Sequence, residues 1–168
     1  HGFNNKNAFS DKDFEQMQSF AKNGGTVIFA GEIGQDLLDS GNLPFTAKIV
    51  RARGLWTCIP HIVKEHPLTA GLPSNMMMDN SYENVWAQST LSEIEGDDIG
   101  IQEPVIASLA FDWFSRSNKM HYSGPGSSWW GSDMSIIPYG KGHIIISQLN
   151  IIPHLGTDPV ADQLLVNL

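Results

Sequence analysis

Glu32 and His154 are the residue pair whose types and positions suit proton transfer. Each follows a short apolar run, residues 26–30 and 143–147, so both fall where strands of an open α/β sheet end and ligands collect. A carboxylate and an imidazole across such a crevice supply a general base and a general acid at neutral pH, the equipment of a small hydrolase or isomerase. Nucleophilic catalysis has less support, because the turn after residues 26–30 carries Gly31 and Glu32 where a nucleophile elbow presents Ser or Cys. The single Cys58, close to Trp56 and Ile59, reads as a small packing residue rather than an activated thiolate, and it excludes any internal disulfide.

Metal and cofactor chemistry find no ligand pattern. Of the six histidines, His61 and His66 stand five apart on a segment interrupted by proline, and no His-Glu-x-x-His occurs. Glu93, Glu95, Asp97 and Asp98 surround Gly96 without the spaced ligands of a calcium loop and read as a solvated turn. Met76, Met77 and Met78 are consecutive, so on any regular element they point in different directions and fill gaps rather than hold copper. Gly31 and Gly34 fall short of a dinucleotide or phosphate loop. No cofactor and no metal is therefore expected. Tyr122, Trp129 and Trp130, on a backbone rich in Gly and Ser, offer flat faces that stack on sugar rings or on a partner's apolar patch; the alternative is that Trp129 and Trp130 turn inward to cover a sheet face.

The elements that position these residues follow from pattern and punctuation. Ser10 before Asp11 and Asp13, with Phe14, Met17, Phe20 and Ala21 on one face, predicts a helix over residues 10–23, stopped by Asn23-Gly24. A buried strand over 26–30, a helix over 33–39 and a loosely alternating strand over 47–53 come next, and residues 66–73 read as a proline-rich loop with one helical turn. Residues 104–111 read as a strand, and 113–131 as irregular. Tyr139-Gly140-Lys141-Gly142 predicts a hairpin turn leading into Ile144-Ile145-Ile146, a strand buried on both faces. Asp158 caps a last helix that begins with Pro159.

A chain of 168 residues, 41% of them hydrophobic, suits one domain over residues 1–168. A net charge of −8 without any basic run argues against nucleic acid or anionic membrane as partner, and no apolar stretch approaches a membrane span. The start on His1, followed by a helix-then-strand unit whose preceding strand is missing, reads as a piece of a longer protein.

Taken together, Gly24-Gly25-Thr26-Val27-Ile28, His66-Pro67-Leu68 with Gly71-Leu72-Pro73, the hairpin at Gly140 and the closing Asp158-Pro159 helix resemble the class I glutamine amidotransferase-like, flavodoxin-like fold. The closing segment, from Ser147-Gln148-Leu149 to Leu168, is similar to such modules attached to family 2 glycoside hydrolases, the β-galactosidase-like enzymes. The resemblance implies a three-layer α/β domain with an open, mostly parallel sheet over 26–30, 105–110 and 143–147 and an antiparallel hairpin at its edge. It also implies an accessory role beside other domains of a glycoside hydrolase parent, with carbohydrate as ligand and a periplasmic or extracellular address. The family's elbow Cys and His-x-Glu pair are absent here, so amidotransfer is not expected. Nor does this chain hold the barrel that carries the two glycosidase carboxylates. Oligomeric state stays open.

Overall fold

The computed structural model describes residues 9–51, 61–111 and 128–168. Cys58 and Tyr122 lie outside the described residues, as does the side chain of Trp129.

The chain opens with α1 (Asp11–Lys22), started by a reciprocal cap in which the Asp13 N–H donates to Ser10 Oγ and the Ser10 N–H to the Asp13 carboxylate. Then come β1 (Thr26–Ala30), α2 (Gln35–Leu38), β2 (Thr46–Arg51), β3 (His61–Val63), β4 (Met76–Met77), β5 (Ser89–Glu95), β6 (Glu103–Phe111), β7 (Ser128–Tyr139), β8 (Gly142–Ser147) and α3 (Pro159–Asn167). The strands form one sheet in the order β1-β8-β7-β6-β3-β4, with β5 also joined to β7 and β2 joined to β5.

Among the described residues only β1 and β8 pair in parallel; the other pairings are antiparallel. The sheet is therefore mixed and predominantly antiparallel, which corrects the mostly parallel layout expected from the sequence. The hairpin of β7 and β8 stands at the centre of the sheet rather than at its edge. Ile144, Ile145 and Ile146 are all buried, but a strand covered on both faces need not have parallel neighbours. β7 supplies the antiparallel ones, and its first residues lie inside the stretch expected to be irregular. The topology overturns the flavodoxin-like, amidotransferase-like resemblance, and the glycoside hydrolase parentage that came with it is withdrawn.

Two apolar cores lie on opposite faces of the sheet. Ile145, Met134, Val63 and Ile106 face one core, closed by Val160, Ala161 and Leu164 of α3. Ile144, Ile146, Ile137 and Leu91 face the other, closed by Phe14 and Ala21 of α1. The central hairpin turns at Gly140, whose φ of 62° suits glycine, and a Cβ there would come within 2.7 Å of Lys22 Cα. The Lys141 N–H donates to Lys22 O at 3.0 Å, fastening the turn to the end of α1. α3 begins at Asp158, whose carboxylate accepts from Val160 N and Ala161 N at 2.8 and 3.1 Å.

Candidate functional site

The pairing of β6 with β7 breaks step twice, and the breaks compensate. Pro104 faces Ser135 and Ile106 faces Met134, leaving Val105 as an extra residue on β6; Ala107 then faces Ser132, leaving Asp133 as an extra residue on β7. Such bulges re-aim side chains. In an unbroken strand Asp133 would point away from the face that Met134 occupies. The bulge turns it onto that same face, as Val105 and Ile106, consecutive residues, both join the α3-side core.

On that face stand His61 of β3 and Ser108 of β6, cross-strand partners in the register. Asp133 is fully buried, Ser108 is 1% exposed and His61 is 9% exposed. The Asp133 Oδ2 lies 2.8 Å from His61 Nδ1, and the Ser108 hydroxyl donates to the same carboxylate at 2.5 and 2.6 Å. Ser108 Oγ is also 3.1 Å from His61 Nδ1. A carboxylate only accepts and the serine proton is directed at it, so the proton between Asp133 and His61 is on Nδ1, and in the neutral ring Nε2 is then the acceptor. The residue types of a serine hydrolase triad are present in a different arrangement. Ser108 sits on the Nδ1 side beside Asp133 rather than at Nε2, so it orients the carboxylate and is not the nucleophile. Trp86, exposed between buried Val85 and Ala87, lies over the imidazole with ring centroids 6.3 Å apart and planes 21° from parallel.

A second polar cluster adjoins the first through one residue. The Gln148 N–H donates to Asp133 O at 2.7 Å. The side chain of Gln148 turns to the loop after β1, accepting from the Ile33 N–H at 2.5 Å and donating to Ser89 Oγ at 3.3 Å, and Ser89 donates to Glu32 Oε1 at 2.8 Å. Gln148 thus pins the Gly31–Ile33 turn and, through Ser89, the Glu32 carboxylate. Ser89 and Leu91 share a face by strand alternation, so this cluster faces the α1 side while His61 faces the α3 side.

Glu32 and His154 do lie at the same end of the sheet, after the parallel pair β1 and β8. They are engaged separately: Glu32 with Ser89, and His154 Nε2 with Asn150 Nδ2 at 3.0 Å; no hydrogen bond among the described residues joins them. His66 caps the 3₁₀ turn Pro67–Thr69, accepting from Leu68 N at 3.1 Å. Trp130 sits on β7 with 53% of its surface exposed, on the face opposite His61. Met76 and Met77 form the short edge strand β4. Among the described residues no group of three or more His, Cys, Asp or Glu converges to hold a metal ion, and no helix is long and apolar enough to cross a membrane.

Near the site, Asn84 donates to Asp158 at 2.9 Å, and with the amides of Ala161 and Val160 it holds that carboxyl below its ordinary range. Burial, with Asp79 nearby, pushes the Tyr82 phenol up to about 12. Compared with protein family models, curated proteins and solved structures, the chain matches none.

Proposed function

We propose that the His61–Asp133 pair is the general acid–base centre of a small hydrolase or isomerase. The observation that carries the reading is the bulge at Asp133, which delivers a fully buried carboxylate to Nδ1 of His61. Burying a charge is costly, and a strand of this kind gains nothing in cohesion from a bulge. The arrangement has a chemical use: Asp133 fixes the tautomer and supports the imidazolium, while Nε2 takes a proton from water or substrate and returns it to the leaving or rearranging group. Trp86 shields one ring face, which limits approach to the imidazole edge. Glu32, held by Ser89 and Gln148, and His154 are the further acid–base groups at the strand ends, and they enter this reading as accessory groups of the same end of the sheet.

The test is a panel of small neutral substrates, activated esters, lactones and hydroxy-carbonyl compounds, assayed with the parent chain and with His61→Gln, Asp133→Asn and Ser108→Ala. Turnover lost by about 100-fold or more in the first two and retained within about tenfold in Ser108→Ala supports the reading. Turnover that survives His61→Gln, or a panel on which the folded chain is inert, overturns it.

A second reading rests on Trp130. Its exposed indole offers a stacking face for a sugar ring. Replacing Trp130 by Ala should weaken oligosaccharide binding by about 1 kcal/mol without lowering the melting temperature. A drop in melting temperature with no sugar bound by the parent chain sinks that reading.

A further inference from the structure

Among the described residues the sheet has three open edges, β1, β2 and β4, and they are protected unequally. An unpaired edge is a template for another strand, and proteins blunt it by shortness, by charge or by a bulge. β4 is two residues long, and β2 carries Lys48 and Arg51 with a break in register between Thr46 and Lys48. β1 has none of these devices. Its five residues are uncharged, free of proline and paired with β8 in unbroken register. The Gly31 N–H donates to Ser147 O, and the His143 N–H donates to Gly25 O, so the odd-numbered residues turn their backbone groups toward β8. The N–H and C=O groups of Thr26, Ile28 and Ala30 therefore point outward, and no backbone hydrogen bond among the described residues reaches them.

Apolar side chains flank this edge in both helical layers. Phe20 is exposed and lies over the entrance to β1, where a Cβ at Gly25 would come within 2.2 Å of its ring. It leaves α1 on the flank opposite Gln18, which holds Tyr139 of β7. Ile28 is exposed on the α3 side, the side of its register partner Ile145. On α3, Asn167 leans on the turn after β3, and exposed Leu165 stands on the opposite flank. The two ends of the edge differ in charge: Lys141 and Lys22, the latter bridged to Asp98, stand exposed at its amino end, and Asp36 and Asp39 follow its carboxyl end. We propose that β1 is the interface strand of a two-fold homodimer, in which it pairs antiparallel with β1 of a second copy. Ile28 then exchanges both backbone bonds with the partner's Ile28, and Thr26 does so with the partner's Ala30. An antiparallel copy sets the basic end of each edge against the acidic end of the other, whereas a parallel one would set like against like.

Sedimentation of the 168-residue chain across the micromolar range should show its 18.5 kDa monomer giving way to a species of twice that mass. Amide hydrogen exchange on the same samples reads the register. Val27 and Phe29, bonded to β8, should be protected at every concentration, and Thr26, Ile28 and Ala30 only as the dimer forms. Ile28→Lys and Thr26→Lys place a charge on the edge and should each weaken association by about tenfold or more, with the dilute chain still folded by circular dichroism. Lys141→Glu, outside β1, should weaken it as well. A chain that stays monomeric, a dimer whose even-numbered amides exchange freely, or a dimer that survives both lysine variants overturns the proposal. So does protection of the even-numbered amides in the dilute monomer, since the edge is then covered from within the chain.

Discussion

The two halves of β7 differ in almost every respect although they belong to one strand. Residues 136–139 pair in unbroken register with β8, and Ile137 and Tyr139 are buried in the α1-side core. Residues 131–135 hold Gly131, Ser132, Asp133 and Ser135, with a bulge against β6 and hydrogen-bonded side chains on both faces. The hydrophobic half needs only fit to hold the sheet together. The polar half keeps a buried carboxylate, a bare glycine and hydrogen-bonded serines close together, an arrangement less stable than an apolar one of equal volume. Stability and chemistry are thus carried by adjacent segments of the same strand, and mutations should separate them.

The largest effect is expected in the polar half. Asp133→Ala leaves His61 and Ser108 without their acceptor, and urea unfolding should show a loss of about 3–5 kcal/mol, the cost of breaking a buried pair. A loss under about 1 kcal/mol would mean that the cluster is not ordered as described. In the regular half, Ile137→Ala should cost about 2–5 kcal/mol through its cavity, yet the reactivity of His61 toward diethyl pyrocarbonate, measured on the peptide by mass spectrometry, should not change. A changed His61 rate would show that the halves are coupled. Trp86→Ala acts in the opposite sense: it should cost only about 1 kcal/mol while His61 is modified severalfold faster, and Trp86→Phe should restore the slow rate. An unaltered rate in Trp86→Ala removes Trp86 from the site.

The smallest effect is expected at the α3 cap, away from both halves. The Asp158 carboxyl titrates below its ordinary 3.8 because Asn84 and two helix amides bind its charged form. A depressed folded value gives stability that is complete above 3.8 and lost as pH falls through the folded value. Hydrogen-exchange protection of the Val160 and Ala161 amides should therefore drop only in that acid range, and Asp158→Asn should abolish the dependence. Protection that declines already near neutrality would refute this cause.

Much of the frame was legible in the sequence because it is local. Ser10 and Asp13 announce α1, Asp158-Pro159 announces α3, and the glycines at 140 and 142 announce the central turn. Sheet order was not legible, because β7 carries Ser, Asp and Gly where its length demands apolar alternation, and β5 mixes Ser and Thr with Leu91. Those polar residues are buried by contacts far apart in sequence, His61 with Asp133 72 residues on. Glu32 and His154, the candidate pair, follow the parallel strands β1 and β8 and hold separate partners. The sequence spacing of His61 and His66 bears only on metal ligation. A carboxylate at 133, three residues before the apolar Ile136-Ile137, is the available signal for the partner of His61. The bulge that makes the partnership possible depends on the register with β6, which no local pattern encodes.

Long-range nitrogen–carbon-proton NMR of the His61 ring tests the central claim most directly, because it reads which nitrogen is protonated in the intact chain at neutral pH. The arrangement described here predicts a protonated Nδ1 bonded to Asp133 and a bare, acceptor-type Nε2, with the Nδ1 signal moving in Asp133→Asn. A proton resident on Nε2 in the parent chain, with no response to Asp133→Asn, would contradict the account.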